Sequence, residues 1–181
     1  MLKNISVKRL FLFLTSFNFS LIVMTAVAQD KLTEQSKVTI NGIGSIQVGM
    51  TPQKASKVSG IAIVALGKDP QCTYYQPKEQ PKDILLMVNN GTISRIDIKN
   101  PQITTRSGAK IGDTEAKIKS LYPGQIEVTP HKYVPNGRYL TFIPKDATDK
   151  NYRLIFETDG KKVTQYRSGK LPEVAWVEGC S

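Results

Sequence analysis

The feature that most restricts what this chain can fold into is a pattern that occurs twice. Val48-Gly49-Met50-Thr51-Pro52-Gln53-Lys54-Ala55-Ser56-Lys57-Val58 aligns with Ile111-Gly112-Asp113-Thr114-Glu115-Ala116-Lys117-Ile118-Lys119-Ser120-Leu121, 63 residues later. Leu85-Leu86-Met87-Val88-Asn89-Asn90-Gly91 aligns with Leu154-Ile155-Phe156-Glu157-Thr158-Asp159-Gly160 at an offset of 69. The extra residues fit the longer stretch between Tyr133 and Lys150 of the second copy, where they lengthen a loop without disturbing the order of elements. Self-similarity at a nearly constant spacing predicts two units of one design: residues 29–105 and residues 106–181.

Each copy opens with a helix start. Thr51 and Thr114 are residues whose hydroxyl accepts from the free amides of a first turn. Pro52 loses nothing by lacking an N–H at the first helical position, and Glu115 complements the positive end of the second helix. Ala55 and Val58, then Ile118 and Leu121, recur at helical spacing. Gly60 and Pro123-Gly124 stop both helices after about two turns, too short to stand alone. Asn90-Gly91 and Asp159-Gly160 read as two-residue hairpin turns. They join Ile84–Val88 to Ile93–Ile98 and Arg153–Thr158 to Lys162–Arg167, although the apolar alternation after Ile93 slips by one residue. Further strands are expected at Ile61–Leu66, Cys72–Gln76, Gln125–Thr129, Tyr139–Ile143 and Val174–Val177, with 99–108 linking the copies. Short helices on antiparallel sheet make an α+β protein.

The N-terminus carries Lys3, Lys8 and Arg9, the apolar runs Leu10–Leu14 and Leu21–Met24 interrupted by Thr15, Ser16, Asn18 and Ser20, and Ala26-Val27-Ala28. These are the three parts of a secretory signal, with cleavage expected after Ala28. Gln29 stands where a lipid-anchored protein has cysteine, so no stable membrane anchor is expected after cleavage. The leader holds three of the 25 Lys and Arg residues; the other 22 face 15 acids, a net charge of +7. This excess is spread evenly over both copies, with Lys161-Lys162 the one adjacent basic pair, so no nucleic-acid face is expected. Cys72 and Cys180, an even pair in an exported chain, predict one disulfide. It closes a loop long enough for about 4–5 kcal/mol in the chain-entropy model, and ties a C-terminal strand back to the first copy.

The Gly49-Met50-Thr51-Pro52 start and its short helix resemble the small outer-membrane assembly lipoproteins of the SmpA/OmlA type. Doubling of such a unit resembles the β-lactamase inhibitor protein, built from two tandem helix-plus-sheet repeats. The ending Trp176-Val177-Glu178-Gly179-Cys180-Ser181 is similar to that of exported bacterial proteins. The resemblances imply an architecture, and no binding residue is carried over from either family.

His131 is the sole histidine. No Gly-x-Ser-x-Gly elbow accompanies it, metal ligands lack workable spacing, and the glycines of Gly42-Ile43-Gly44-Ser45 do not make a dinucleotide fingerprint. No catalytic residue, metal or cofactor is therefore assigned. Tyr74, Tyr75, His131, Tyr133, Arg138 and Tyr139 form the candidate binding set, because tyrosine offers apolar area and a hydroxyl together. The expected role is that of a non-enzymatic periplasmic or secreted module that binds a protein partner of the cell envelope. The alternatives are a hydrolase of envelope polymers using His131 with a nearby acid, and an electrostatic binder of anionic polysaccharide.

Overall fold

The computed structural model describes residues 31–180; the expected signal segment lies outside them. A small meander of β1 (Val38–Thr39), β2 (Gly42–Ile43) and β3 (Ile46–Gln47) precedes α1 (Pro52–Ser59). The strands β4 (Ile63–Ala65), β5 (Cys72–Pro77), β6 (Ile84–Asn89) and β7 (Thr92–Ile98) follow. After α2 (Glu115–Leu121) come β8 (Ile126–Pro130), β9 (Arg138–Phe142), β10 (Tyr152–Thr158) and β11 (Val163–Lys170). The eight long strands form one antiparallel sheet in the order β4-β5-β6-β7-β11-β10-β9-β8. The protein is α+β, as its pattern predicts, but the two halves share a single sheet.

The two helix starts and the two inner hairpins are built alike. Thr51 Oγ1 accepts from Lys54 N–H at 3.2 Å and Thr114 Oγ1 accepts from Lys117 N–H at 3.2 Å, so each threonine caps its helix. Just before each cap, a glycine clips the helix start to the sheet. Gly49 N–H donates to Ile93 O and Ile93 N–H donates to Met50 O; Gly112 N–H donates to Val163 O and Val163 N–H donates to Asp113 O. Both glycines have φ of 90°, a backbone shape that side-chain-bearing residues rarely adopt. The inner hairpins carry matching β-bulges, between Met87 and Val88 and between Glu157 and Thr158. The first bulge accounts for the slipped alternation after Ile93, since an extra residue in one strand resets the pleat.

Four expectations need correction. The inner hairpins match at an offset of 70, as their bulges show (Met87 with Glu157, Val88 with Thr158), where the sequence pattern aligns them at 69. The second hairpin turn is centred on Gly160-Lys161, because Asp159 N–H bonds to Lys162 O; the Asp159 carboxylate accepts from the Lys161 and Lys162 amides. The C-terminal segment around Val174–Val177 is no strand. Ala175 and Trp176 N–H return to Pro172 and Glu173 carbonyls, giving a 3-10 turn over Glu173–Ala175. The β1–β3 meander was not anticipated: strands of two residues broken by Asn41 and Ser45 leave no alternation to read.

One sheet face packs against both helices and the meander. Ile84, Leu86, Ile96, Ile98, Leu140, Leu154, Phe156 and Tyr166 from the sheet meet Ala55, Ile118, Tyr122, Val38, Ile43 and Ile46. Phe156 sits centrally, its ring 5.5 Å from Tyr166 and 5.9 Å from Tyr122. Phe156→Ala is expected to lower unfolding free energy by about 3–5 kcal/mol, the usual cost of an aromatic-sized cavity. Chemical denaturation measures it; a loss below about 1 kcal/mol would mean that the ring is not in a packed core.

Candidate functional site

The outer face of the sheet is where the unusual chemistry lies. In an antiparallel sheet, directly opposed residues share a face. Register therefore builds three rows across the middle strands. Tyr74 faces Met87, which faces Arg95. Leu85 faces Asp97, which faces Arg167, which faces Ile155. Gln165 faces Glu157, which faces Tyr139. This face is covered by residues 171–180. Val174, Leu171 and Val177 pack on Tyr139 and Ile155 as a small cluster distinct from the main core, and Cys180 bonds to Cys72 at the start of β5.

Burying this face requires its charges to be paired. Arg95 holds Asp97 through Nε at 2.9 Å to both carboxylate oxygens and Nη2 at 2.6 Å. Its Nη1 donates to the carbonyls of Trp176 and Glu173 in the tail. Arg167 pairs with Glu157 through Nη1, donates from Nε to Val174 O at 2.7 Å, and lies 5.6 Å over the Tyr139 ring. Two arginines thus read three tail carbonyls while two carboxylates balance their charge.

His131 belongs to the same network. Its ring stacks on Tyr139 at 4.4 Å and 22°. Nδ1 accepts from the backbone N–H groups of Tyr133 and Val134, each at 3.1 Å. An atom that accepts twice carries no proton, which assigns the hydrogen to Nε2, 3.2 Å from Glu157 Oε2. The imidazole therefore fixes the β8–β9 loop in one shape: two loop amides close on one nitrogen while the other is anchored to the sheet. The loop displays Tyr133 and Val134, 57% and 39% exposed. With the adjoining ends of β8 and β9 it borders an open hollow of about 610 Å³.

Between loop, tail and sheet lies a groove of about 410 Å³, bordered by Tyr74, Lys99, Gln165 and Gly179 with the paired charges on its floor. At its rim Glu178 accepts from Lys132 at 2.8 Å and from the Tyr133 hydroxyl. Burial pushes the Tyr74 hydroxyl above the usual tyrosine range, with nearby Asp97 adding to it.

Of the residues singled out by sequence, Tyr74, His131, Tyr133 and Tyr139 come together here. Tyr75, next along its strand, points to the opposite face and packs on the main core. Arg138 turns away toward Glu115 at the start of α2, 3.5 Å distant. Sequence reasoning missed Arg95, Asp97, Glu157 and Arg167, each of which reads as the wet side of an alternating strand. Among the described residues no group of three or more His, Cys, Asp and Glu is arranged to hold a metal ion. No helix among them is long and apolar enough to cross a membrane.

The two acids titrate in opposite directions. For Glu157, burial favours the neutral form, but hydrogen bonds from Gln165, the Arg167 charge and hydrogen bonds from His131 and Arg167 together outweigh it and hold the carboxyl below its ordinary range. For Asp97, burial outweighs the attraction of Arg95 and pushes the carboxyl up. A depressed carboxyl contributes stability that is fully present above its unfolded value and is lost as pH falls through its folded value; a raised one contributes the reverse. Comparing Glu157→Gln with wild type isolates the first effect. The variant is expected to lose about 3–5 kcal/mol at neutral pH, because it strands the Arg167 charge. That gap narrows as pH drops below about 4.5. Urea unfolding of both proteins across this range measures it; a gap independent of pH would contradict the assigned ion pair.

No protein-family model matches the chain, and no curated protein matches it either. Among solved structures, the crystal structure of the uncharacterized protein YfeY from Escherichia coli is similar, with a TM-score of 0.49 and 16% identity, covering 74% of this chain and 99% of that one.

Proposed function

We propose that this chain is an exported, non-enzymatic binding module, built by duplication of a helix-and-four-strand unit, that grips a protein partner through the β8–β9 loop. The observation that carries the reading is the His131 clamp. A loop already fixed in one conformation loses little entropy when it binds, and this one presents an aromatic and an aliphatic side chain at its tip. Aromatic side chains that become buried on binding dominate the energetics of protein interfaces.

The state of the titratable groups supports binding over hydrolysis. A general base needs a free lone pair within reach of a substrate proton. One nitrogen of His131 is occupied by two amides and the other faces Glu157, whose carboxylate is taken up by Arg167, Gln165 and His131. Duplication draws support from register. At the 70-residue offset set by the matching bulges, Asp97 and Arg167 occupy the same place in the two halves, and they stand directly opposite one another in the β7–β11 pairing. The Cys72–Cys180 bridge fits an oxidising space outside the cytoplasm.

A photo-crosslinking residue at position 134, in the full-length chain in its producing cells, is expected to yield a discrete protein adduct. The same residue at Ser120, exposed on α2, should yield none. Tyr133→Ala should weaken the captured complex by about 10–100-fold, the range for losing an interface anchor. Equal labelling from both positions, or no adduct from either, would overturn the loop as the recognition element.

A further inference from the structure

The tail is bound to the sheet in the manner of a ligand. It adds no strand to the sheet; its turn is closed by its own hydrogen bonds. It is held by carbonyl groups from Glu173, Val174 and Trp176 delivered to Arg95 and Arg167. Asn89 Nδ2 donates to the Glu173 carboxylate at 2.7 Å, and Glu178 reaches Lys132 and Tyr133. Its apolar anchors form a cluster of their own with Tyr139 and Ile155, apart from the main core on the other face. Lifting the tail therefore leaves the main core intact. It also leaves Arg95 paired with Asp97 and Arg167 paired with Glu157, so no lone charge is created.

Two further observations describe the seat. Gly179 has φ of 70°, and a Cβ there would lie 2.4 Å from the Tyr74 hydroxyl, so the seat demands glycine at that point. Covalent attachment comes from one bridge, Cys72–Cys180, at the far end of the tail, and both cysteines are only half-buried.

We propose that the outer face of the sheet is a binding site for a peptide segment with a short turn, occupied here by the chain's own residues 171–180, with the disulfide as the latch that keeps it occupied. The segment this site takes offers backbone carbonyls to Arg95 and Arg167, a small aliphatic side chain to the Tyr139–Ile155 patch, and an acid followed by glycine beside Tyr74. Opening needs a dithiol reductant. Its two thiols supply two electrons and two protons, the Cys72–Cys180 bond breaks, two cysteine thiols form, and the reductant leaves as its own disulfide. This site adjoins the β8–β9 loop, whose Lys132 and Tyr133 meet Glu178 of the tail at its rim.

In the full mature chain, dithiothreitol, or the Cys72→Ser/Cys180→Ser double variant, is expected to raise amide exchange in 171–180 at least tenfold. The amides of β7, β10 and β11 should keep their protection. A fluorescent peptide of residues 171–180 with serine at position 180 should then bind the opened protein saturably and fail to bind the oxidised one. The same peptide carrying Gly179→Val should bind at least tenfold more weakly. Tail exchange that does not change on reduction overturns the latch, and loss of protection in β7 and β11 together with the tail reduces the bridge to a fold staple. Failure of the peptide to bind an open tail, or equal binding of the valine peptide, overturns the site.

Discussion

The rest of the structure depends on the pairing of β7 with β11. Each is the last strand of its half, and each would otherwise leave a row of backbone donors and acceptors open at a sheet edge. Joined, they place eight strands in one sheet and bring Tyr166 and Ile98 to the same side of it. The join also fixes the chemistry of the other face. Opposed residues on neighbouring strands sit within interaction range, and like charges there repel. At the centre of the join the chain places Asp97 against Arg167. Arg95 and Glu157 flank them, so two cations and two anions lie within three adjacent strands. Such a face tolerates burial because its charge is balanced before anything covers it.

What was legible in the sequence was local. Thr51 and Thr114 announce helix starts because capping is decided within four residues, and both threonines cap as expected. Asn90-Gly91 announces a turn for the same reason, both residues having positive φ. Asp159-Gly160 marks the right hairpin but not the right centre. There the aspartate carboxylate closes the turn by accepting from the next two lysine amides, moving the central pair one residue on. The slipped alternation after Ile93 was visible; its cause was not, since a bulge is a relation between two strands.

The site was less legible for a physical reason. An alternating strand with Arg95 and Asp97 on one side normally shows that side to water, and composition cannot tell a solvated charge from a covered one. The covering element is the tail, whose Val174, Trp176 and Val177 look like a strand. Their backbone hydrogen bonds go instead to a short turn and to two arginines. The tyrosines were recognisable by type, yet only position along the pleat separates Tyr74, under the tail, from Tyr75, in the main core. His131 was noticed for its rarity. Its work, bracing a loop through one nitrogen and meeting an acid through the other, depends on Glu157, a residue 26 positions away that nothing in the sequence connects to it.

Glu157 also links the two surfaces on which the functional reading rests. One oxygen faces His131, which shapes the β8–β9 loop, and the other faces Arg167, which holds the Val174 carbonyl of the tail. Glu178 closes the circuit at the rim, running from the tail to Lys132 and Tyr133 of the loop. The two contacts differ in kind. Burial of Glu157 leaves its ion pair little screened by salt, whereas Glu178 and Lys132 are exposed partners whose attraction is weak and screened. Communication between tail and loop through the rim therefore fades with ionic strength, while communication through Glu157 persists. The loop keeps its brace on the buried acid when the tail above it is lifted, because the His131–Glu157 contact involves no tail residue.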